Sequence, residues 1–110
     1  MSLEERLDEL ERRLGEIEAE WSRPEVASDP TRSRELGQEQ AQLAPIVEGY
    51  RRLREVRAER DSARQSRDTE TDADLRQMAG EMLEDAERLE ADLLAKLQTL
   101  LLPRDPNDQR

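Results

Sequence analysis

The sequence predicts an all-α protein, an elongated antiparallel three-helix coiled-coil bundle whose middle helix is kinked near Pro45. Three observations point there. Apolar residues recur at alternating spacings of three and four, the seam pattern of a coiled coil. Proline-bearing and polar breaks cut the 110 residues into three amphipathic segments, and connectors of only six or seven residues leave consecutive helices antiparallel. Charged residues make up 42% and hydrophobic residues 34%, with no Phe, one Trp and one Tyr, which is too little apolar bulk for a β-sandwich or barrel but enough for a narrow seam.

The first helix is expected from about Ser2 to Ser22. Its stripe is Leu3, Leu7, Leu10, Leu14, Ile17 and Trp21, separated mostly by Glu, Asp and Arg. Ser2 suits the N-cap, and Glu4 and Glu5 complement the helix dipole in the first turn. Gly15 lies off the stripe. Residues 23–29 form a break, because Pro24 lacks an N–H and restricts Arg23. Asp29-Pro30 then reads as an N-cap followed by proline at the first helical position.

The second helix should run from Pro30 to about Arg67, with Leu36, Leu43, Ile46, Val47, Tyr50, Leu53 and Val56 on its apolar face. Pro45 removes one backbone hydrogen bond from its interior, so a kink or a meeting of two helices is expected there. Residues 66–71 form a polar connector, in which Thr71 and Asp74 resemble a capping box. The third helix is expected over about Asp72–Leu102, facing inward with Leu75, Met78, Met82, Ala86, Leu89, Leu93, Leu97 and Leu100, with Leu94 and Leu101 beside them. Pro103 stops it. Residues 1–102 thus read as one helical coiled-coil domain and residues 103–110 as an extended tail leading to a further domain.

Composition narrows the functional classes. Formal net charge is −10, with 28 acidic and 18 basic residues, so unaided nucleic-acid binding is not expected. There is no Cys and no His, which removes thiolate metal sites and the usual neutral-pH proton shuttle. The carboxylates occupy solvated helical registers, and the four glycines are scattered rather than gathered into a phosphate-cradling loop. No catalytic, cofactor-binding or metal-ligating residue is predicted, no cofactor is expected, and the chain is not read as an enzyme. No stretch approaches ~20 apolar residues, and the start Met1-Ser2-Leu3-Glu4-Glu5 lacks the basic and apolar regions of a secretory leader. A cytoplasmic location and no membrane partner are therefore expected.

Charge is uneven along the chain. Seven arginines lie between Arg51 and Arg67, among only Glu55, Glu59 and Asp61. Two readings stand: these arginines face the acidic outer helices at seam-flanking positions, or Arg51, Arg54 and Arg57 form an exposed ridge turned toward RNA or the ribosome. Trp21 and Tyr50 read as seam layers, with a role as partner anchors the alternative. Met78 and Met82 read as seam filling rather than a binding surface.

The segment Leu100-Leu101-Leu102-Pro103-Arg104-Asp105-Pro106-Asn107-Asp108, following a Glu-rich helix, resembles the close of the N-terminal domain of the bacterial peptide chain release factor 1 family. The stretch Leu43-Ala44-Pro45-Ile46-Val47-Glu48-Gly49-Tyr50 is also similar to that family. The resemblance implies an N-terminal docking domain of a factor that ends translation at stop codons (UAA and UAG). It implies as partners the ribosome, at the stalk base of the large subunit, and the GTPase release factor. The family's Gly-Gly-Gln loop and Pro-x-Thr codon-reading tripeptide are absent from this chain, so no family functional residue is carried onto it. Two other functions remain open: a tRNA-clasping helical arm such as that of seryl-tRNA synthetase, suggested by Leu53-Arg54-Glu55-Val56-Arg57-Ala58-Glu59-Arg60, and a free-standing coiled-coil adaptor.

Overall fold

The structure, a computed structural model, describes residues 1–103. It is all-α over those residues, with four helices in the order α1 (Leu3–Trp21), α2 (Pro24–Ala27), α3 (Pro30–Thr69) and α4 (Ala73–Leu100). The expected tail lies, from residue 104 onward, outside the described residues. The chain divides into two compact units, residues 1–48 and the part beginning at Gly49, with α3 contributing to both.

In the first unit α1 begins as the sequence predicts. The Ser2 hydroxyl accepts from the Glu5 N–H at 3.1 Å, satisfying one of the donors a helix start leaves orphaned. The break at 23–29 contains a helical turn of its own. Pro24 presets its own φ at the first helical position, and residues Pro24–Ala27 close one helical turn, α2, ended by Ser28. Asp29 then caps α3 in the predicted way, its carboxylate accepting from the Thr31 and Arg32 N–H groups at 3.1 and 3.2 Å.

Cross-pairs fix the direction of packing in this unit. Glu20 meets Arg32 at 2.6 Å, and Arg13 makes a two-pronged pair with Glu39, one prong at 2.9 Å. Position rises along α1 as it falls along α3, so the two are antiparallel. Leu7, Leu14, Ile17, Leu36, Ile46 and Val47 are buried, with Leu3 and Leu10 half-buried. Trp21 is a half-buried layer at the end of α1. Its indole N–H donates to the Ser33 hydroxyl at 2.8 Å, and its ring lies over Gly37, where a Cβ would sit only 3.3 Å from Cη2.

Pro45 sits inside α3 and does not end it, so the alternative of two helices meeting at that point is not what forms. A helix of 40 residues is long enough that the bonds on either side of one missing N–H carry the turn through.

In the second unit the last part of α3 pairs with α4, again antiparallel: Gly49 packs against Leu97, and Arg57 and Arg60 reach Glu90. Tyr50, Leu53, Val56, Ala63, Ala79, Leu83, Ala86 and Leu97 are buried. The approach at Gly49 is so close that a Cβ there would come within 2.9 Å of Leu97 Cδ2. The connector is shorter than predicted, and its capping differs. Asp72, not Thr71, is the N-cap of α4, accepting from Asp74 and Leu75 N–H at 2.8 and 3.1 Å, while the Glu70 carboxylate takes the N–H groups of Thr71 and Asp72. The short Asp side chain at 72 reaches two orphan donors at once, which the Thr71–Asp74 box does not.

Candidate docking surface

Among the described residues there is no His/Cys/Asp/Glu cluster able to hold a metal ion, and no helix is long and apolar enough to cross a membrane. Two helix faces of the second unit carry the features that bear on the candidate surface.

The first is the arginine-rich part of α3. Arg57 donates to Glu90 at 2.9 Å, and one Arg60 nitrogen lies 2.7 and 2.6 Å from the two Glu90 oxygens. Burial pushes the Glu90 carboxyl up, but the hydrogen bonds from Arg57 and Arg60, with their charges, outweigh it and hold the group below its ordinary range. Arg54 lies over the Tyr50 ring, 4.5 Å from its centre, a cation–π contact that covers the aromatic face. Arg52 bridges Glu55 and Glu59 at 3.2 and 3.7 Å. Arg51, Arg54 and Arg57 therefore do not act as one ridge: Arg57 turns to the partner helix, as the seam-flanking reading expects, and Arg54 turns to its own helix.

The second face is α4, and here the structure corrects the sequence. Of the predicted inward stripe, Leu75, Met78, Met82, Leu89 and Leu100 are exposed, at 49%, 55%, 58%, 37% and 38%, whereas Ala86 and Leu97 are buried as expected. The inward positions are Ala79, Leu83, Ala86, Glu90 and Leu97, with Leu93 and Leu94 half-buried. The helix is thus rotated by most of one residue step from the expectation. Large side chains outrank Ala in hydropathy, which favoured the wrong stripe. Packing against α3 instead selects small residues that let the backbones approach, and it accepts Glu90 because two arginines neutralise it. The true stripe keeps heptad spacing, but a Glu in its middle and the small Ala79 near its start hide it.

A shallow groove runs beside the exposed ridge, with a volume of about 370 Å³. Ala63 and Ala79 form its floor, Ala58, Ser62 and Ser66 of α3 one wall with Glu59 at the rim, and Met82 of α4 the other. On the far side of the ridge, Asp74, Glu81, Asp85 and Asp92 repeat at spacings of seven, four and seven, which places all four along one exposed edge of α4.

The PCRF domain family model matches residues 10–110. The chain belongs to the PCRF domain family. It is similar to proteins named peptide chain release factor 1: 36% identical over 106 residues to that of a Geobacillus species, and 41% over 106 residues to that of Dehalococcoides mccartyi, each covering 96% of this chain and 30% of the relative. The Burkholderia thailandensis relative is 38% identical over 109 residues, covering 99% of this chain and 29% of its own length. This PCRF chain thus spans about 30% of the length of the curated relatives it matches. No solved structure shows a significant match.

Proposed function

We propose that this PCRF chain is the N-terminal helical domain of a cytoplasmic peptide chain release factor, and that it docks the factor on the ribosome without doing chemistry itself. The contact is at the stalk base of the large subunit, with the GTPase release factor as a second partner. Reading of UAA and UAG and release of the peptide belong to the remainder of the factor. One observation carries this reading: relatives named peptide chain release factor 1 align with nearly the whole chain at 36–41% identity, while the chain accounts for under a third of each.

Physical support comes from charge. At −10 the chain repels an RNA backbone, so its docking contacts are made to protein. A tRNA-clasping arm needs a cationic ridge available to phosphate, whereas Arg57 and Arg60 are committed to Glu90 and Arg52 to Glu55 and Glu59.

Co-sedimentation tests the proposal. The labelled chain is expected to pellet with intact bacterial ribosomes and to stay in the supernatant with ribosomes stripped of their stalk-base proteins. A chain that remains soluble with intact ribosomes refutes docking. Tight, salt-sensitive capture of free tRNA on a filter supports the tRNA-arm reading in its place.

A further inference from the structure

We propose that the exposed ridge of α4, Leu75–Met78–Met82–Leu89, with the groove beside it, is a docking site for a basic amphipathic helix. The inference deepens the docking role proposed above, and rests on it for its setting, by assigning one surface and one partner chemistry.

The spacings three, four and seven put these four side chains on one line along α4, which is the geometry that receives an apolar helix stripe. Met78 and Met82, more than half exposed, are unbranched and polarizable, and such side chains repack against differing apolar partners. The groove beside Met82 is floored by Ala63 and Ala79 and walled by Ala58, Ser62 and Ser66, so nothing bulky stops a third helix from settling between α3 and α4.

Charge identifies the occupant. The ridge is edged by Asp74, Glu81, Asp85 and Asp92 on one side and, on the other, by Glu59, which shares Arg52 with Glu55 across a 3.7 Å exposed contact. Gln77 and Arg88 touch Glu81 and Asp85 only through local, solvent-exposed contacts at 3.5 and 3.4 Å, which are weak beside an incoming partner's charges. From Glu70 to Asp92, α4 and its lead-in carry nine acidic residues and only Arg76 and Arg88 as bases. A helix whose apolar stripe is flanked by Lys or Arg meets this pattern on both edges. A second copy of this chain brings the same acidic edges against themselves, and nucleic acid is repelled, so charge selects against both.

The probe is a dye-labelled, amidated Leu/Lys heptad peptide about 18 residues long, which forms a basic amphipathic helix of roughly five turns. Its controls are a Leu/Glu peptide of the same pattern and a scrambled Leu/Lys peptide. Fluorescence anisotropy is expected to show the 110-residue chain binding the Leu/Lys helix and neither control. The triple variant Leu75→Ser/Met78→Ser/Met82→Ser, altered only at exposed positions, should retain its helical circular dichroism and lose roughly tenfold or more in affinity. The single variant Met78→Lys should lose binding by repulsion, which keeps the test decisive if the triple variant unfolds. Amide shift changes on peptide addition should fall on residues 75–89 and 58–66.

Equal binding by wild type and Met78→Lys, shift changes spread over the acids of α1, or equal binding of the scrambled peptide overturns the inference in favour of unspecific charge attraction. A ridge-dependent dimer in light scattering overturns it in favour of a second copy. If the chain pellets with ribosomes but the peptide finds no ridge, the inference falls and the docking role stands. If the peptide finds the ridge but the chain never pellets with ribosomes, the docking role falls and the helix site stands.

Discussion

The rotation of α4 makes a sharp contrast between two adjacent residues. Leu83 is buried at 4% exposure in the contact with α3, and Met82 beside it is 58% exposed. Truncating a sealed Leu removes its transfer free energy and leaves a cavity, so Leu83→Ala should destabilise the protein by about 2–5 kcal/mol. Met82 has less than half of its surface still to lose, out of about 1.5–3 kcal/mol for a fully buried side chain, and no closed cavity follows its removal. Met82→Ala should therefore cost less than about 1 kcal/mol, reduced further by the better helix propensity of Ala. Leu89→Ala, at 37% exposure, falls between them at about 1–2 kcal/mol. Urea unfolding followed by the helical circular dichroism signal measures all three, and a common m-value shows that the variants unfold from comparably compact states. If Met82→Ala costs as much as Leu83→Ala, the inward face of α4 is the one that hydropathy predicts, and the docking ridge is part of the core.

Other expectations follow from the same geometry. Gly80 has nothing within 4 Å of an added Cβ, so Gly80→Ala should raise stability by about 0.5–1 kcal/mol in thermal melts. The same change at Gly49 drives a methyl into buried Leu97 and should show no such gain; equal gains at both sites would mean that α3 and α4 are not in close contact there. Glu90→Gln should cost about 1–2 kcal/mol at neutral pH, because two arginines lose their charged acceptor. Since pairing holds the folded Glu90 below its ordinary 4.5, the stability it adds is full above that value and drains away as pH falls through the lowered folded value. The gap between wild type and Glu90→Gln should close on acidification, and a gap that widens would refute the pairing. Gly37→Leu should expel the Trp21 ring from its slot and shift the emission of this single Trp to longer wavelength; an unchanged spectrum would place the ring elsewhere.

Much of the fold was legible because its signals are local. Ser2 and Asp29 cap helices wherever a helix starts after them, Pro30 fits a first turn by its fixed φ, and a seam repeating every three and four residues reads without knowledge of its partner. The all-α class, the start of α1, the start of α3 and the burial of Leu7, Leu14, Ile17, Leu36, Val47, Leu53 and Val56 come from such signals. The resemblance to the release factor family was legible in the run from Leu100 to Asp108 for the same reason.

That this chain is helical, acidic and seamed can be read from the order of its residues. Which side of α4 turns inward cannot, and it emerges only when α4 packs on α3. That choice depends on what α3 presents: a close approach at Gly49, a small floor at Ala63, and two arginines that make a Glu acceptable at position 90. A helix's own hydropathy ranks Leu75, Met78 and Met82 above Ala79, but burial rewards fit between two surfaces, and only one of those surfaces is written in α4.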